Sequence, residues 1–200
     1  MSSEYEPIGR LSGPVDDEDL RRAREMFERA ARPYLSGPWS WVAWALLLPA
    51  AALLTPAALS AAGPSGVLLL WSIAILLAGA LELLQIVRGR RRAPATALSG
   101  WVLRMQGNLS LVGLAISLVL AWQGLFWVLP GLWLLIIGHS LYGLGGLSAR
   151  PLQATGLFFQ GAGLLALWPH GRSLEVFAVA AFLGNLWIAW SIRQGRQVPP

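Results

Sequence analysis

Gly66-Val67-Leu68-Leu69-Leu70-Trp71-Ser72-Ile73-Ala74-Ile75-Leu76-Leu77-Ala78-Gly79-Ala80-Leu81-Glu82-Leu83-Leu84-Gln85-Ile86-Val87 holds a single charged residue in 22 positions. Before it stands the uncharged turn sequence Ala61-Ala62-Gly63-Pro64-Ser65, and after it the basic run Arg88-Gly89-Arg90-Arg91-Arg92. A hydrocarbon layer about 30 Å thick is crossed by roughly 20 apolar residues of helix. Backbone groups cannot stay unpaired in lipid, so a helix is the economical structure. The polarity does not alternate with the period of two that a membrane barrel strand requires.

Five further stretches repeat this pattern. With 66–87 they are roughly 39–60, 100–121, 126–146, 151–168 and 174–192. The fifth is the shortest and is rich in glycine. The expected fold is therefore all-α: a polytopic, six-helix transmembrane bundle over residues 39–192, readable as three helical hairpins. A polar segment, 1–38, precedes it and a short tail, 193–200, follows. Leu70-Trp71, Leu132-Trp133 and Leu186-Trp187 recur in the second, fourth and sixth stretches, which favours a hairpin repeat.

Composition agrees. Charged residues make up 12% of the 200-residue chain, against roughly 25% in soluble domains. Eight of the ten acids lie in the first 28 residues, and beyond Trp39 only Glu82 and Glu175 remain. The formal net charge is +5, but all fifteen basic residues are Arg, and all except Arg104 fall outside the apolar runs. That is the placement of orientation signals, and it argues against a nucleic-acid face. The absence of Cys excludes disulfides, Cys-ligated zinc and iron–sulfur clusters. No basic, apolar leader opens the chain, so the first stretch is expected to act as an uncleaved anchor.

Arginine sets the orientation. Arg21, Arg22, Arg24, Arg29 and Arg32 precede the first stretch, Arg88 to Arg92 follow the second, Arg150 follows the fourth, and Arg193 and Arg196 follow the sixth. The opposite loops carry only Arg172. Both termini are expected in the cytoplasm, and the location is a bacterial inner membrane. Trp39, Trp41, Trp44, Trp101 and Trp190 fall at expected inner ends, and Trp71, Trp122, Trp127 and Trp168 at or near outer ends, as boundary indoles do. Trp133 and Trp187 lie deeper and read as packing residues.

In the polar head, 1–15 reads as disordered and about 16–32 as an amphipathic helix. Acids fill its first turn, and Leu20, Ala23, Phe27, Ala30 and Tyr34 form a narrow apolar stripe. It suits the membrane surface or a cytosolic partner.

Ionisable groups inside a span are costly and mark candidate sites. Glu82 and Arg104 both sit roughly 6–8 Å inside the Arg-rich surface at 1.5 Å per residue. They belong to consecutive stretches and are expected to form an ion pair, since an unpaired buried charge costs more than a paired one. Gln85, Asn108, His139, Tyr142 and Asn185 share that half of the membrane and form a candidate inward-facing polar cluster; their alternative use is hydrogen bonding between helices. His170 lies in an outer loop, so a haem held by two His is not expected. No metal-ligand cluster, nucleophile triad or phosphate loop is visible, and the chain is expected to carry no cofactor and to be no enzyme.

Glycine marks seams. Gly138, Gly143, Gly145 and Gly146, with Gly156, Gly161 and Gly163, allow close backbone approach between the fourth and fifth stretches. Gln106, Ser110, Gly113 and Ser117 make a small polar stripe on the third. Pro130-Gly131 either starts the fourth helix, where Pro is tolerated, or kinks a longer one.

Leu129-Pro130-Gly131-Leu132-Trp133-Leu134-Leu135-Ile136-Ile137-Gly138, the continuation Tyr142 to Leu152, and Gly156-Leu157-Phe158-Phe159 resemble a group of small, uncharacterised bacterial membrane proteins of six helices. The resemblance covers residues 100–192. It implies the fold and a membrane location, and brings no activity with it. In its spacing of Gly, Trp and Pro the hairpin arrangement is also similar to small acid-resistance membrane proteins. The expected function is that of a non-enzymatic accessory, regulatory or structural subunit of a membrane assembly; the rival is a small-solute or proton transporter built on the polar cluster. The partners expected are the lipid bilayer and either a membrane protein or further copies of the chain.

Overall fold

A single straight helix over Pro38–Arg90, 53 residues, would be ~80 Å long, far more than a bilayer accommodates. The chain solves this by folding back. In the computed structural model, which describes residues 18, 22, 25, 37–90, 97–148, 150–168 and 171–195, α1 (Pro38–Arg90) breaks at Gly63, whose φ is 62° and ψ −156°. Only glycine adopts that region without a steric penalty, and the following Pro64 disfavours helical geometry at residue 63. Two hydrogen bonds centred on Gly63 prove the reversal. Trp71 Nε1 donates to Thr55 Oγ1 and Trp44 Nε1 to Glu82 Oε2, each at 3.0 Å. The arms, 38–62 and 64–90, therefore lie side by side.

After α1 come α2 (Ala97–Trp122), a 3-10 turn (Phe126–Val128), α3 (Leu129–Ser148), α4 (Arg150–Leu167) and α5 (Ser173–Gly195). The turn before α3 is made by Gly124 at φ 75°. Pro130 is the second residue of α3, so it sits in a first turn where its missing N–H leaves no bond unmade. Gly171, at φ 73°, closes the turn before α5.

Four elements are long and apolar enough to cross a membrane: Pro38–Gly89, Gly100–Trp122, Phe126–Gly145 and Ser173–Gln194. The chain is thus an all-α, multi-pass membrane protein with at least four apolar spanning helices. The 18 residues of α4 lie outside that set. Gln153, Thr155 and Gln160 dilute its apolar character, and it is sandwiched between α3 and α5.

The packing order differs from the chain order. The most extensive contact joins α3 to α4, followed by α1 to α5 and α4 to α5, while α2 leans mainly on α3. One buried cluster runs through Leu48, Leu134, Phe159, Phe177, Ala181 and Ile188. Phe159 is 2% exposed and presses on the bare backbone of Gly184, where a Cβ would lie 2.6 Å from its Cζ.

The α3–α4 contact rests on glycine. A Cβ on Gly138 would lie 2.8 Å from the Gly156 carbonyl oxygen, and one on Gly156 2.7 Å from that of Gly138. One heptad away the relation repeats: Gly131 would meet the Gly163 carbonyl oxygen at 2.8 Å, and Gly163 that of Gly131 at 3.0 Å. Gly145 closes on the backbone of Leu152, at 2.7 Å from its carbonyl carbon. A seven-residue repeat keeps one face toward an antiparallel neighbour at a shallow crossing angle. Gly143 and Gly161, expected in this seam, have nothing within 4 Å and lie outside it. The seam's third member on α3 is Gly131, which the sequence marked only as a helix start or kink.

Most of the expected amphipathic helix, 16–32, and the tail beyond Gly195 lie outside the described residues. Within that helix Glu18, Arg22 and Glu25 are helical, and Arg22 pairs with Glu18 at 2.8 Å.

Candidate functional site: polar groups within the apolar helices

Glu82 is the acid of the second arm of α1. Its Oε2 accepts from Trp44 Nε1 at 3.0 Å across the hairpin. One turn further on, the carboxamide of Gln85 spans the start of the first arm. Oriented to satisfy both groups, its nitrogen donates to the Gly37 carbonyl at 3.0 Å and its oxygen accepts from the Ser40 backbone N–H at 2.6 Å. The first N–H groups of a helix have no partner within it. Here a side chain from the other arm supplies one, in the layer where the hairpin's two ends meet.

The expected Glu82–Arg104 ion pair does not form among the described residues. The pairing was expected because the two stretches follow one another. In the fold α1 and α2 do not pack on each other to any extent. Glu82 finds Trp44 within its own hairpin instead, and Arg104 stays exposed.

Nor do the five residues of the expected cluster gather. Gln85 serves the start of α1, and buried Asn185 donates to the Ala181 carbonyl on its own helix at 2.7 Å. Asn108, His139 and Tyr142 are exposed. Among the described residues no hydrogen bond joins any two of the five. His170 lies outside the described residues. Those described contain no group of three His, Cys, Asp or Glu able to hold a metal ion.

A different constellation emerges. Trp133 Nε1 donates to Ser117 Oγ at 3.0 Å, and Ser117 donates to the Gly113 carbonyl at 2.7 Å. The α1 hairpin repeats this link by link: Trp71 donates to Thr55, and Thr55 to the Ala51 carbonyl at 2.7 Å. In both the indole lies sixteen residues after the hydroxyl, and the hydroxyl four after the carbonyl. Trp71 also stands edge-on to Phe177 at 5.6 Å, tying its hairpin to α5. The recurring Leu-Trp pairs at 70–71 and 132–133 were the visible half of this signal; the Thr55 and Ser117 hydroxyls were the other half. Leu186-Trp187 does not join it, because Trp187 stacks beside Trp190 at 5.1 Å.

Three of the four residues of the small polar stripe on α2, Gln106, Gly113 and Ser117, lie against α3. Gln106 Nε2 donates to Ser140 Oγ, and a Cβ on Gly113 would lie 3.1 Å from Trp133 Cη2. Ser110 stays exposed. The α1 hairpin and the α2–α3 pair are thus each held by hydrogen bonds that run through an apolar interior.

Fold and polar geometry together define a helical integral membrane protein in which Thr55, Glu82, Gln85, Gln106 and Ser117 bond between helical segments. No protein-family model, curated protein or solved structure matches the chain.

Proposed function

We propose that the chain is a non-enzymatic accessory, regulatory or structural subunit of a membrane assembly. It crosses a bacterial inner membrane six times, with both ends in the cytoplasm. The short α4 is counted as a span because α3 and α5 enclose it, and the two arms of α1 as one span each. The Arg-rich ends carry the orientation.

One observation carries this reading. Glu82, Gln85, Gln106, Thr55 and Ser117 are engaged in bonds between helical segments, which leaves the surface as the part that acts. That surface has a regular face. On the second arm of α1, Leu69, Ile73, Leu76, Ala80, Leu83 and Val87 are all exposed. They follow the alternating four- and three-residue spacing of a helix-pairing seam.

Purification from the native membrane in mild detergent, with mass spectrometry of whatever stays bound, tests the proposal. A protein retained at fixed ratio supports it. A stable monomer without a partner contradicts it.

The transporter reading keeps one observation in its favour, a carboxyl group half-buried within a span at Glu82. Uptake into vesicles by Glu82→Gln decides it: unchanged flux removes that role from the residue.

A further inference from the structure

The α1 hairpin and the α2–α3 pair repeat one another in register. Gly113, Ser117 and Trp133 each stand 62 residues after Ala51, Thr55 and Trp71 (113 − 51, 117 − 55 and 133 − 71), and they make the same bonds. The same step leads from Trp44 to Gln106, each of which donates from the first helix of its pair to the second. Four positions under one offset make the second arm of α1 the counterpart of α3.

The offset also aligns their outer surfaces. Gly131, Leu135, Gly138, Tyr142 and Gly145 of α3 stand against α4. Their counterparts on α1 are Leu69, Ile73, Leu76, Ala80 and Leu83, all exposed. The face that carries a helix on α3 is therefore bare on α1. Many apolar residues of the chain face lipid, and the repeat is what sets this row apart from them.

The residues in the row select its occupant. The three glycines that bring α4 to the α3 backbone are replaced on α1 by three leucines, so a helix at backbone contact does not fit there. The row reads as heptads instead, with Leu69, Leu76 and Leu83 at d and Ile73, Ala80 and Val87 at a. Leu at d with β-branched residues at a is the pattern of two parallel helices. The f positions on the opposite side are Trp71, Ala78 and Gln85, all turned into the hairpin. Ala80 and the neighbouring Gly79, where a Cβ would meet nothing within 4 Å, let two backbones approach at mid-helix. Copies of one chain insert in one sense, so a twofold axis runs along the membrane normal and brings the same arm to itself in parallel.

We propose that this face is the contact between two copies of the chain, the second arms of α1 pairing in parallel through the heptads at 69–87. The pairing rests on the accessory-subunit reading and gives its exposed face a partner.

The chain has no Cys, so single cysteines can be followed without background. In the full chain, oxidised in the membrane with copper phenanthroline, Leu69→Cys, Leu76→Cys and Leu83→Cys should each give a disulfide-linked dimer, because the d positions of a parallel pair meet at its axis. Ile75→Cys and Leu81→Cys are also exposed but turned about 130° from the seam, and should stay monomeric. Native mass spectrometry of the unmodified chain, which requires no variant to fold, should show a dimer. A monomer bound to nothing overturns the pairing and the accessory-subunit reading together. A different membrane protein held at fixed ratio, with no dimer, overturns the pairing alone. A dimer that crosslinks at 75 and 81 as readily as at 76 and 83, or at none of them, also overturns it.

Discussion

Gly138 and Gly156 hold α3 and α4 at backbone contact, each glycine facing the other's carbonyl oxygen where a Cβ would come within 2.8 Å. Backbone cannot move aside as a flexible side chain can. Gly138→Ala and Gly156→Ala should each destabilise the fold by about 1–3 kcal/mol, the range of overpacked core substitutions. Gly143→Ala and Gly161→Ala meet nothing within 4 Å and gain helix propensity, so they should be neutral or mildly stabilising. Unfolding in mixed micelles with increasing sodium dodecyl sulfate measures all four. Equal effects at 138 and 143 would contradict the seam.

Trp41 and Trp44 separate two kinds of indole in one helix. Trp44 Nε1 donates to Glu82, whereas Trp41 buries its Nε1 with no hydrogen-bond partner among the described residues. Trp44→Phe should cost about 1–3 kcal/mol, because the Glu82 carboxyl loses its partner. Trp41→Phe removes an unsatisfied donor and should leave stability unchanged or raise it. The same unfolding assay ranks the two, and the reverse order would refute the assignment.

The two Trp–hydroxyl links predict a matched pair of double-mutant cycles. Trp133→Phe with Ser117→Ala, and Trp71→Phe with Thr55→Val, should each show coupling near the membrane average of about 0.6 kcal/mol, with ~1.7 as an upper bound. Trp71→Phe should also weaken the edge contact with Phe177, so the single substitution at 71 should exceed that at 133. Zero coupling in both cycles would show that the indoles merely pack.

Gly63→Ala tests the reversal of α1. A Cβ at 63 meets no neighbour within 4 Å, so any loss is conformational. The strain of a non-glycine residue at such a φ/ψ is about 1–3 kcal/mol. A Trp44–Glu82 distance that lengthens in the variant, read by spin labels placed at Leu46 and Leu81, would accompany it. An unaltered fold and stability would argue against the observed backbone at 63.

Much of the architecture was legible in the sequence. Gly63-Pro64 within an uncharged run announced a turn, and the stripe Gln106, Ser110, Gly113 and Ser117 announced a seam that all but Ser110 joins; Pro130 left a helix start and a kink both open, and the structure makes it a start. Such signals are local, set by one residue's conformational freedom or by one helix's periodicity. The partner of Glu82 was not legible, because consecutive stretches need not be neighbours, and α1 packs on α5 rather than α2. The choice among glycines was hidden for a related reason. Gly138 and Gly143 look alike in an apolar run, and only the face turned to α4 distinguishes them. The scattered Asn108, His139, Tyr142 and Asn185 show that a shared depth does not imply a shared side.

The central claim is that Glu82, bonded to Trp44 across the α1 hairpin, joins helical segments and carries no flux. Glu82→Gln keeps an oxygen that accepts from Trp44 but removes the ionisable carboxyl. Reconstituted in vesicles beside the unmodified chain, under an imposed proton gradient, it should show the same stability and the same flux. A Glu82→Gln protein that remains as stable but loses proton or solute flux would contradict the account and make the residue a transport group.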